Sequence, residues 1–267
     1  MMLEITPIVI LAAIASGAII GVFLGTFGGG GSVLAAPLLL YVVGVRDPHI
    51  AIGTSAAAVA AIALFSLIGH WRGGTVKWPC AIVFALSGFI GSIAGSTIAK
   101  QIDGSQLLLA FSIAMAAIAL SMFRKPAFAG DPDVHLTPSI TMRIAPLGLV
   151  VGMAAGFFGI GGGFLIVPGL MLAAGMTMSN ATASSLVSVA LFGAATSANY
   201  AISGLVDGRL VLLLLAGGAV GGLVGIAISR ALSGRVRTAR SAFAVMILVV
   251  AAYVAWNAVG ALTVHAA

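Results

Sequence analysis

Two Gly-rich runs of nearly the same sequence carry the residues best suited to chemistry in this chain. Their candidate site residues are Gly28, Gly30, Gly31 and Ser32 in the first run, and Gly159, Gly161, Gly162 and Gly163 in the second. Each run precedes a short apolar stretch, and a helix that begins there presents free backbone N–H groups, which bind anions. The runs therefore predict a binding site for a small anion. Close helix packing by small residues is the alternative, although four consecutive glycines make a poor helix.

A pair of adjacent hydroxyl side chains recurs at matched positions. Thr54 and Ser55 match Ser184 and Ser185, which lie 130 positions later. Hydroxyl groups both donate and accept hydrogen bonds, so these four residues are candidates to complete the hydrogen bonds of the anion. The alternative is that each hydroxyl bonds to a carbonyl of its own helix.

Four further polar residues are candidates for a gate or an entrance, namely His70, Arg72, Asn180 and Asn199. An imidazole titrates near neutral pH, but the neighbouring Trp71 favours anchoring of this region at the membrane interface. The arginine would attract anions, or would serve only to orient the chain. The two asparagines are included because they flank the helix that carries the second hydroxyl pair.

The matches extend over most of each half and indicate an internal duplication. Glycines at 74, 88, 91 and 95 correspond to glycines at 204, 218, 221 and 225. We therefore divide the chain into a first transmembrane repeat, 1–123, a cytoplasmic linker, 124–139, and a second transmembrane repeat, 140–267. The copies are not identical, since Ala183 stands in place of Gly53 and Asp207 in place of Lys77.

The composition places this chain in a membrane. Hydrophobic residues make up 61% of it, charged residues 7%, and its mean hydropathy is +1.23, whereas soluble domains carry about 25% charged residues. Five apolar segments recur in each half and predict an all-α polytopic protein; they cover 5–27, 33–45, 50–69, 78–99 and 106–123, then 141–158, 164–175, 181–200, 209–229 and 241–261. The second and seventh segments, at about 20 Å of helix each, are short for a hydrocarbon core of ~30 Å. They either turn back or cross together with the Gly turn before them.

The distribution of basic residues distinguishes these two topologies. If all ten segments cross, three basic residues lie on the N-terminal side and nine on the other; if the short segments turn back, leaving eight crossings, the division is six and six. Cytoplasmic loops carry an excess of Lys and Arg, so the sequence predicts ten crossings of the inner membrane with both termini outside. Five crossings per repeat make the two repeats inverted, which is the usual architecture of secondary transporters.

Other classes of function lack support in the sequence. The six acidic residues lie at segment ends or in loops, so no mid-span carboxylate offers a proton relay. A P-loop and clusters of Cys or His are also missing, which argues against an ATPase, an enzyme, a metal or another cofactor. The net charge of +6 comes from residues between apolar runs, which indicates orientation in the bilayer and not nucleic-acid binding. The expected partners are the lipid bilayer and a small anionic substrate, and homo-oligomer formation is left open.

The stretch GFFGIGGGFLIVP at 156–168 resembles the signature of the TauE/SafE family of sulfite exporters, and the triplet Gly53-Thr54-Ser55 and the turn at 74–78 fit the same pattern. The resemblance implies a polytopic transporter of small sulfur-containing anions such as sulfite, sulfonates or sulfoacetate. We therefore expect a secondary transporter of sulfite or an organosulfonate that works by alternating access. Export is the expected direction, because an anion that leaves a negative interior gains about 2.3 kcal/mol per charge per 100 mV. The alternatives are a carrier or channel for another anion and a non-transporting scaffold subunit.

Overall fold

Helices form the regular structure of this protein in the part that the computed structural model describes, residues 6–123, 130–131, 133–159, 163–231 and 236–266. In chain order the elements are α1 (Pro7–Phe27), a 3-10 helix (Gly28–Leu34), α2 (Ala35–Leu38), a π-helical turn (Leu39–Val43), α3 (Pro48–Arg72), α4 (Trp78–Ala99), α5 (Gly104–Met122), α6 (Pro138–Phe158), α7 (Gly163–Ala174), α8 (Met178–Ile202), α9 (Gly208–Ala231) and α10 (Val236–Ala266). Within these ranges no strand forms, and one isolated bridge pairs Asp131 with Met176. The predicted all-α fold is confirmed.

Helix capping explains several of the polar residues at the segment ends. The side chains of five residues accept a hydrogen bond from a backbone N–H two or three residues later, namely Thr6, Asp47, Asp103, Thr137 and Thr177. Proline follows the cap at the start of α1, α3 and α6, where the N–H that it lacks has no helical partner to lose. These caps fix where the helices begin.

Glycine faces bring helices from opposite repeats into backbone contact. A Cβ added at Gly25 of α1 would lie 2.9 Å from the backbone nitrogen of Ile226 in α9. A Cβ added at Gly95 of α4 would likewise lie 2.9 Å from the backbone nitrogen of Phe157 in α6. Because lipid tails are as apolar as these side chains, close van der Waals contact drives such association, and small residues permit it.

Helices at matched positions of the two repeats pack on matched partners. Helix α1 packs on α9 and its counterpart α6 packs on α4, whereas α3 packs on its own counterpart α8 and α5 packs on α10. Helices α3 and α8 run antiparallel, because Gly53 near the start of α3 lies against Tyr200 near the end of α8. Antiparallel packing of matched helices is what an inverted duplication predicts.

Helices α1, α3 and α9 form one group that runs in a single direction. Gly218 of α9 lies against both Gly21 of α1 and Ile62 of α3, and two turns later Ile226 lies against Gly69 of α3. We call the face at which these three helices begin the terminal face, because α1 opens the described chain there.

Helices α4, α6 and α8 form a second parallel group that runs the opposite way. Gly88 of α4 lies against Gly152 of α6 and Phe192 of α8, and further along α4 the side chain of Ser96 bonds to Asn199 of α8. We call the face at which this group begins the linker face, because the segment before α6 lies there.

The short segments differ from the sequence prediction. Eight helices in the described part are long and apolar enough to cross a membrane, which fits an expected eight to ten, and the short helix α7 is not among them. The chain reverses at Gly28, whose φ is +65°, so that Gly31 packs against the backbone of Phe23 and Leu24. The segment 28–43 is therefore the returning arm of a hairpin with α1. Since α3 is parallel to α1, this arm leads back to the terminal face. The loops therefore lie on the same sides as in the topology predicted from the sequence.

Candidate functional site

The two Gly turns meet each other inside the protein. A Cβ added at Gly29 would collide with the backbone of Gly163, and one added at Gly163 would collide with the backbone of Gly29. The same addition at Gly29 would lie 2.6 Å from the side chain of Val189, which is near the middle of α8. The first turn and the start of α7 thus form one backbone junction about halfway along the neighbouring span.

The candidate residues of both runs that the structure describes are buried around this junction. Gly28, Gly30, Gly31 and Ser32 are all buried, and the Ser32 hydroxyl donates to the Gly29 carbonyl at 2.7 Å. Gly163 is also buried. Gly161 and Gly162 lie outside the described residues.

Each turn packs on the third helix of the other repeat. Gly28, in the left-handed region, lies against the carbonyl of Thr182 in α8. Gly159, with φ +66°, lies against Ile52 in α3, which is the position that matches Thr182. Positive φ explains why both turns require glycine.

The four predicted hydroxyls are buried and hold backbone in place. Ser55 and Ser185 donate to carbonyls of their own helices, as the alternative interpretation expected, and Ser185 also accepts from the Gly29 N–H at 3.2 Å. Thr54 accepts from the N–H of Asp207 at 3.0 Å. Ser184 accepts from the N–H of Lys77 at 2.9 Å. The matched hydroxyls therefore fasten the loop that follows the partner helix, while their contact with an anion stays a prediction.

The candidate gate residues do not lie together. His70, Arg72 and Asn180 lie toward the linker face, and the His70 ring is 3.3 Å from the carbonyl of Gly25, beside the first turn. Asn180 is buried and Arg72 is exposed. Asn199 lies at the other end of α8, toward the terminal face, where it bonds to α4.

Sequence reasoning missed two buried residues that matter to this region. Gly29 makes the junction itself, but its matched position is Ile160, so the duplication gave no signal for it. Tyr200 matches His70 and is fully buried at the terminal face, where it packs with Ala36 and Phe157 near the two turns. Its hydroxyl has no partner in the described part of the chain.

An open cavity of about 380 Å³ lies at the terminal face, away from the Gly turns. It lies between the end of the first hairpin and helices α5 and α10, and its polar lining includes Tyr41, Arg46, Ser105 and Asn257. None of the predicted site residues lines it.

Comparison with known proteins identifies the family. The family described as "Sulfite exporter TauE/SafE" matches residues 13–254. The chain belongs to the TauE/SafE family. A relative from Xylella fastidiosa (strain 9a5c), named "Probable membrane transporter protein", is 45% identical over 249 residues, which cover 93% of this chain and 95% of the relative. This TauE/SafE protein is therefore a membrane transporter.

A more distant relative and the solved structures complete the comparison. The "Probable membrane transporter protein YunE" of Bacillus subtilis (strain 168) is 29% identical over 240 residues, which cover 79% of this TauE/SafE chain and 87% of the relative. No solved structure matches the chain.

Proposed function

We propose that this protein is a secondary transporter that exports a small sulfur-containing oxyanion, sulfite or an organosulfonate, across the inner membrane by alternating access. The observation that carries the proposal is the backbone junction of Gly29 and Gly163, where an interrupted segment from each repeat meets the other near the middle of α8. In membrane transporters, substrate sites lie at the interface of repeats and use such interrupted helices.

The junction suits an anion because it offers backbone donors without a buried cation. Helix N-termini point N–H groups at a bound anion and favour negative charge there. Ser32, Ser55 and Ser185 are buried around the same turns and add hydroxyl groups. A small oxyanion with several acceptor atoms would accept from the backbone N–H groups, and each hydroxyl would turn its proton to the anion from the carbonyl to which it now donates.

The packing of the helices supports alternating access. The two parallel groups, α1–α3–α9 and α4–α6–α8, are matched by the duplication and run in opposite directions. Glycine seams bring the helices of each group into close backbone contact, so each group can move as a unit. A rocking of one group against the other would therefore convert an opening toward one face into an equivalent opening toward the other.

The charge distribution supports export. The linker face carries the larger number of basic residues, among them Arg72, Lys77 and Arg143, and such loops are cytoplasmic. An anion bound from that side leaves down the membrane potential, which contributes about 2.3 kcal/mol per charge per 100 mV. Efflux then needs no coupling ion.

A counterflow experiment in proteoliposomes tests this function. Vesicles preloaded with unlabelled sulfite should accumulate external labelled sulfite transiently, because a carrier exchanges its substrate across both faces. Unlabelled taurine, sulfate and sulfoacetate, added in turn, should rank the substrate class by competition. Fast flux without counterflow would indicate a channel, and folded protein without flux that co-purifies with a partner would indicate a scaffold subunit; either result contradicts the proposal.

A further inference from the structure

The interface between α4 and α8 is polar over its half nearest the terminal face. From the fully buried Phe192 toward that face, α8 presents Thr196, Asn199 and Ser203, and α4 presents residues that include Ser96 and Lys100. The Asn199 amide donates to the Ser96 hydroxyl at 2.7 Å and to the Thr97 hydroxyl at 2.9 Å. We call this set of residues the α4–α8 seam.

Lys100 lies at the outer end of the seam and has only neutral partners. Its Nζ donates to the carbonyl and the side-chain oxygen of Asn199, at 3.0 and 2.9 Å, and to the Ser203 hydroxyl at 3.0 Å. The ion pair found in the described part of the chain joins Lys77 to Asp133 at the other face, so no described carboxylate neutralises Lys100. Lys100 is partly exposed, so an anion that reaches it can compete with these neutral acceptors through a stronger, charge-assisted hydrogen bond.

Thr196 lies one turn inward from Asn199 and has an unused hydroxyl. The residue is fully buried, and its Oγ1 has no hydrogen-bond partner among the described residues. Buried polar groups are almost always hydrogen-bonded, so an unpartnered one calls for an explanation. Further inward, Phe192 stacks on Phe84 at a ring separation of 6.3 Å and separates the seam from the Gly junction.

The interface between α3 and α9, which matches the seam in the duplication, packs with fewer polar groups. Positions that match the seam lie between α3 and α9, where Ile62 faces Gly218, Ser66 faces Gly222 and Gly69 faces Ile226. That interface has the same parallel geometry. Of the hydroxyls in the seam it keeps only Ser66, which matches Thr196 and is likewise buried without a hydrogen-bond partner among the described residues. The basic residue Lys100 is matched by Arg230, whereas Asn199 and its partners Ser96 and Thr97 have no polar counterparts, so the amide network belongs to the α4–α8 seam alone.

We propose that Lys100, Asn199 and Thr196 form a second binding subsite for the transported oxyanion, at the terminal-face end of its path. This inference rests on the proposed function. Lys100 exchanges its neutral acceptors for oxygens of the anion, and the Asn199 amide exchanges one of its hydroxyl acceptors, Ser96 or Thr97, for another oxygen. The unpartnered Thr196 hydroxyl donates to a further oxygen. The anion meets this subsite between Phe192 and the terminal face, before it leaves the protein.

Sided kinetics of two variants in oriented proteoliposomes test the subsite, with sulfite as the probe. Lys100→Gln should raise the KM for sulfite added at the terminal face at least tenfold, and leave the KM at the linker face within twofold of wild type. Arg209→Gln is the matched control, because Arg209 is an exposed cation at the same face and the variant has the same net charge. Its KM should stay within twofold at both faces.

Thr196→Val keeps the test valid if the lysine variant folds poorly. It removes a hydroxyl that makes no hydrogen bond in the described structure, so thermal stability should be unchanged while the terminal-face KM rises at least threefold. If both variants keep wild-type flux and the wild-type KM at the terminal face, the subsite proposal is wrong and the proposed function is unaffected. Wild-type protein that is folded but neither binds nor transports sulfite would overturn the proposed function, and the subsite with it.

Discussion

At the scale of residues, the site is a junction of backbones held by hydroxyls. Gly29 and Gly163 approach so closely that no side chain fits between them. Thr54 and Ser184 fasten the loop after the partner helix, and Ser185 fastens the first Gly turn. These hydroxyls carry no charge, so the geometry of the turns depends on a few neutral hydrogen bonds between the repeats.

A methyl group at Gly29 should disrupt the junction and transport together. Gly29→Ala places its Cβ against the backbone of Gly163, and overpacking of this kind costs about 1–3 kcal/mol. We expect at least a tenfold loss of sulfite flux and a lower melting temperature in detergent. Gly208→Ala is the control, because Gly208 lies outside both Gly runs and a Cβ added there meets nothing within 4 Å. Equal sulfite flux in the two variants would show that the junction does not take part in transport.

Loss of a hydroxyl that holds a loop should destabilise the protein. Ser184→Ala leaves the Lys77 N–H without its acceptor, and a buried unsatisfied donor costs about 1–3 kcal/mol. Ser179→Ala, at an exposed position one and a half turns earlier in α8, should change stability by less than about 0.5 kcal/mol. Thermal unfolding followed by tryptophan fluorescence compares the two. An unchanged melting temperature for Ser184→Ala would assign this hydroxyl no structural role.

The sequence indicated which residues surround the site but not how they are joined. Repetition at matched positions drew attention to the two Gly runs and the hydroxyl pairs, but it gave no signal for Gly29, which matches Ile160. The hydrogen bond from the Asp207 N–H to the Thr54 hydroxyl joins residues 153 positions apart. It could not be predicted, because every residue type except proline has the same backbone donor. Lys100 was recognised only as a charge between segments, because its partners on α8 become visible only when α4 and α8 are placed side by side.

At the scale of elements, glycine seams decide which helices pair. Apolar segments of the right length predicted the long spans, and α1 begins within two residues of the expected start. The segment predicted as one helix over 33–45 is instead a succession of 3-10, α and π turns over 28–43, because Gly28 reverses the chain earlier than hydropathy indicates. Hydropathy reports burial in lipid and contains no information about such reversals.

The seam between α1 and α9 should be intolerant of a single methyl group. Gly217→Ala in α9 directs its Cβ at the carbonyl of Ile14 in α1, and we expect a loss of about 1–3 kcal/mol. Gly208→Ala, at the start of the same helix, meets nothing within 4 Å and should be neutral or stabilising by about 0.5–1 kcal/mol. The melting temperatures of the two variants in detergent measure these changes in stability. A Gly217→Ala variant as stable as Gly208→Ala would contradict the close contact.

At the scale of the whole molecule, helix directions place both ends of the described chain on one face. The group α1–α3–α9 begins at the terminal face, and the group α4–α6–α8 ends there. The arm at 28–43 and the short helix α7 add one passage in each repeat to the eight full-length spans, which keeps the total number of passages even. The two groups of helices are matched by the duplication but differ in their polar residues: Asn199 in α8 stands where α3 has Gly69, and Asp207 stands in place of Lys77.

Cysteine labelling tests this arrangement of faces. In a Cys80→Ala background, Thr6→Cys and Arg46→Cys should react with an impermeant maleimide in intact cells, since both lie at the terminal face. Arg72→Cys should react only after the cells are opened, because Arg72 ends α3 at the linker face. Reaction of Thr6→Cys and Arg46→Cys from opposite sides would show that the first hairpin does not return, and would contradict the fold.

Potential-driven flux of labelled sulfite from proteoliposomes tests the central claim most directly. With a potassium gradient and valinomycin setting an interior-negative potential, we expect efflux that saturates with sulfite and rises as the potential grows, because the anion carries its charge outward. Reversal of the potassium gradient, which makes the interior positive, should slow the efflux of sulfite. Flux no greater than that of empty liposomes, from protein shown to be folded, would contradict the assignment of this chain as an exporter of small sulfur-containing anions.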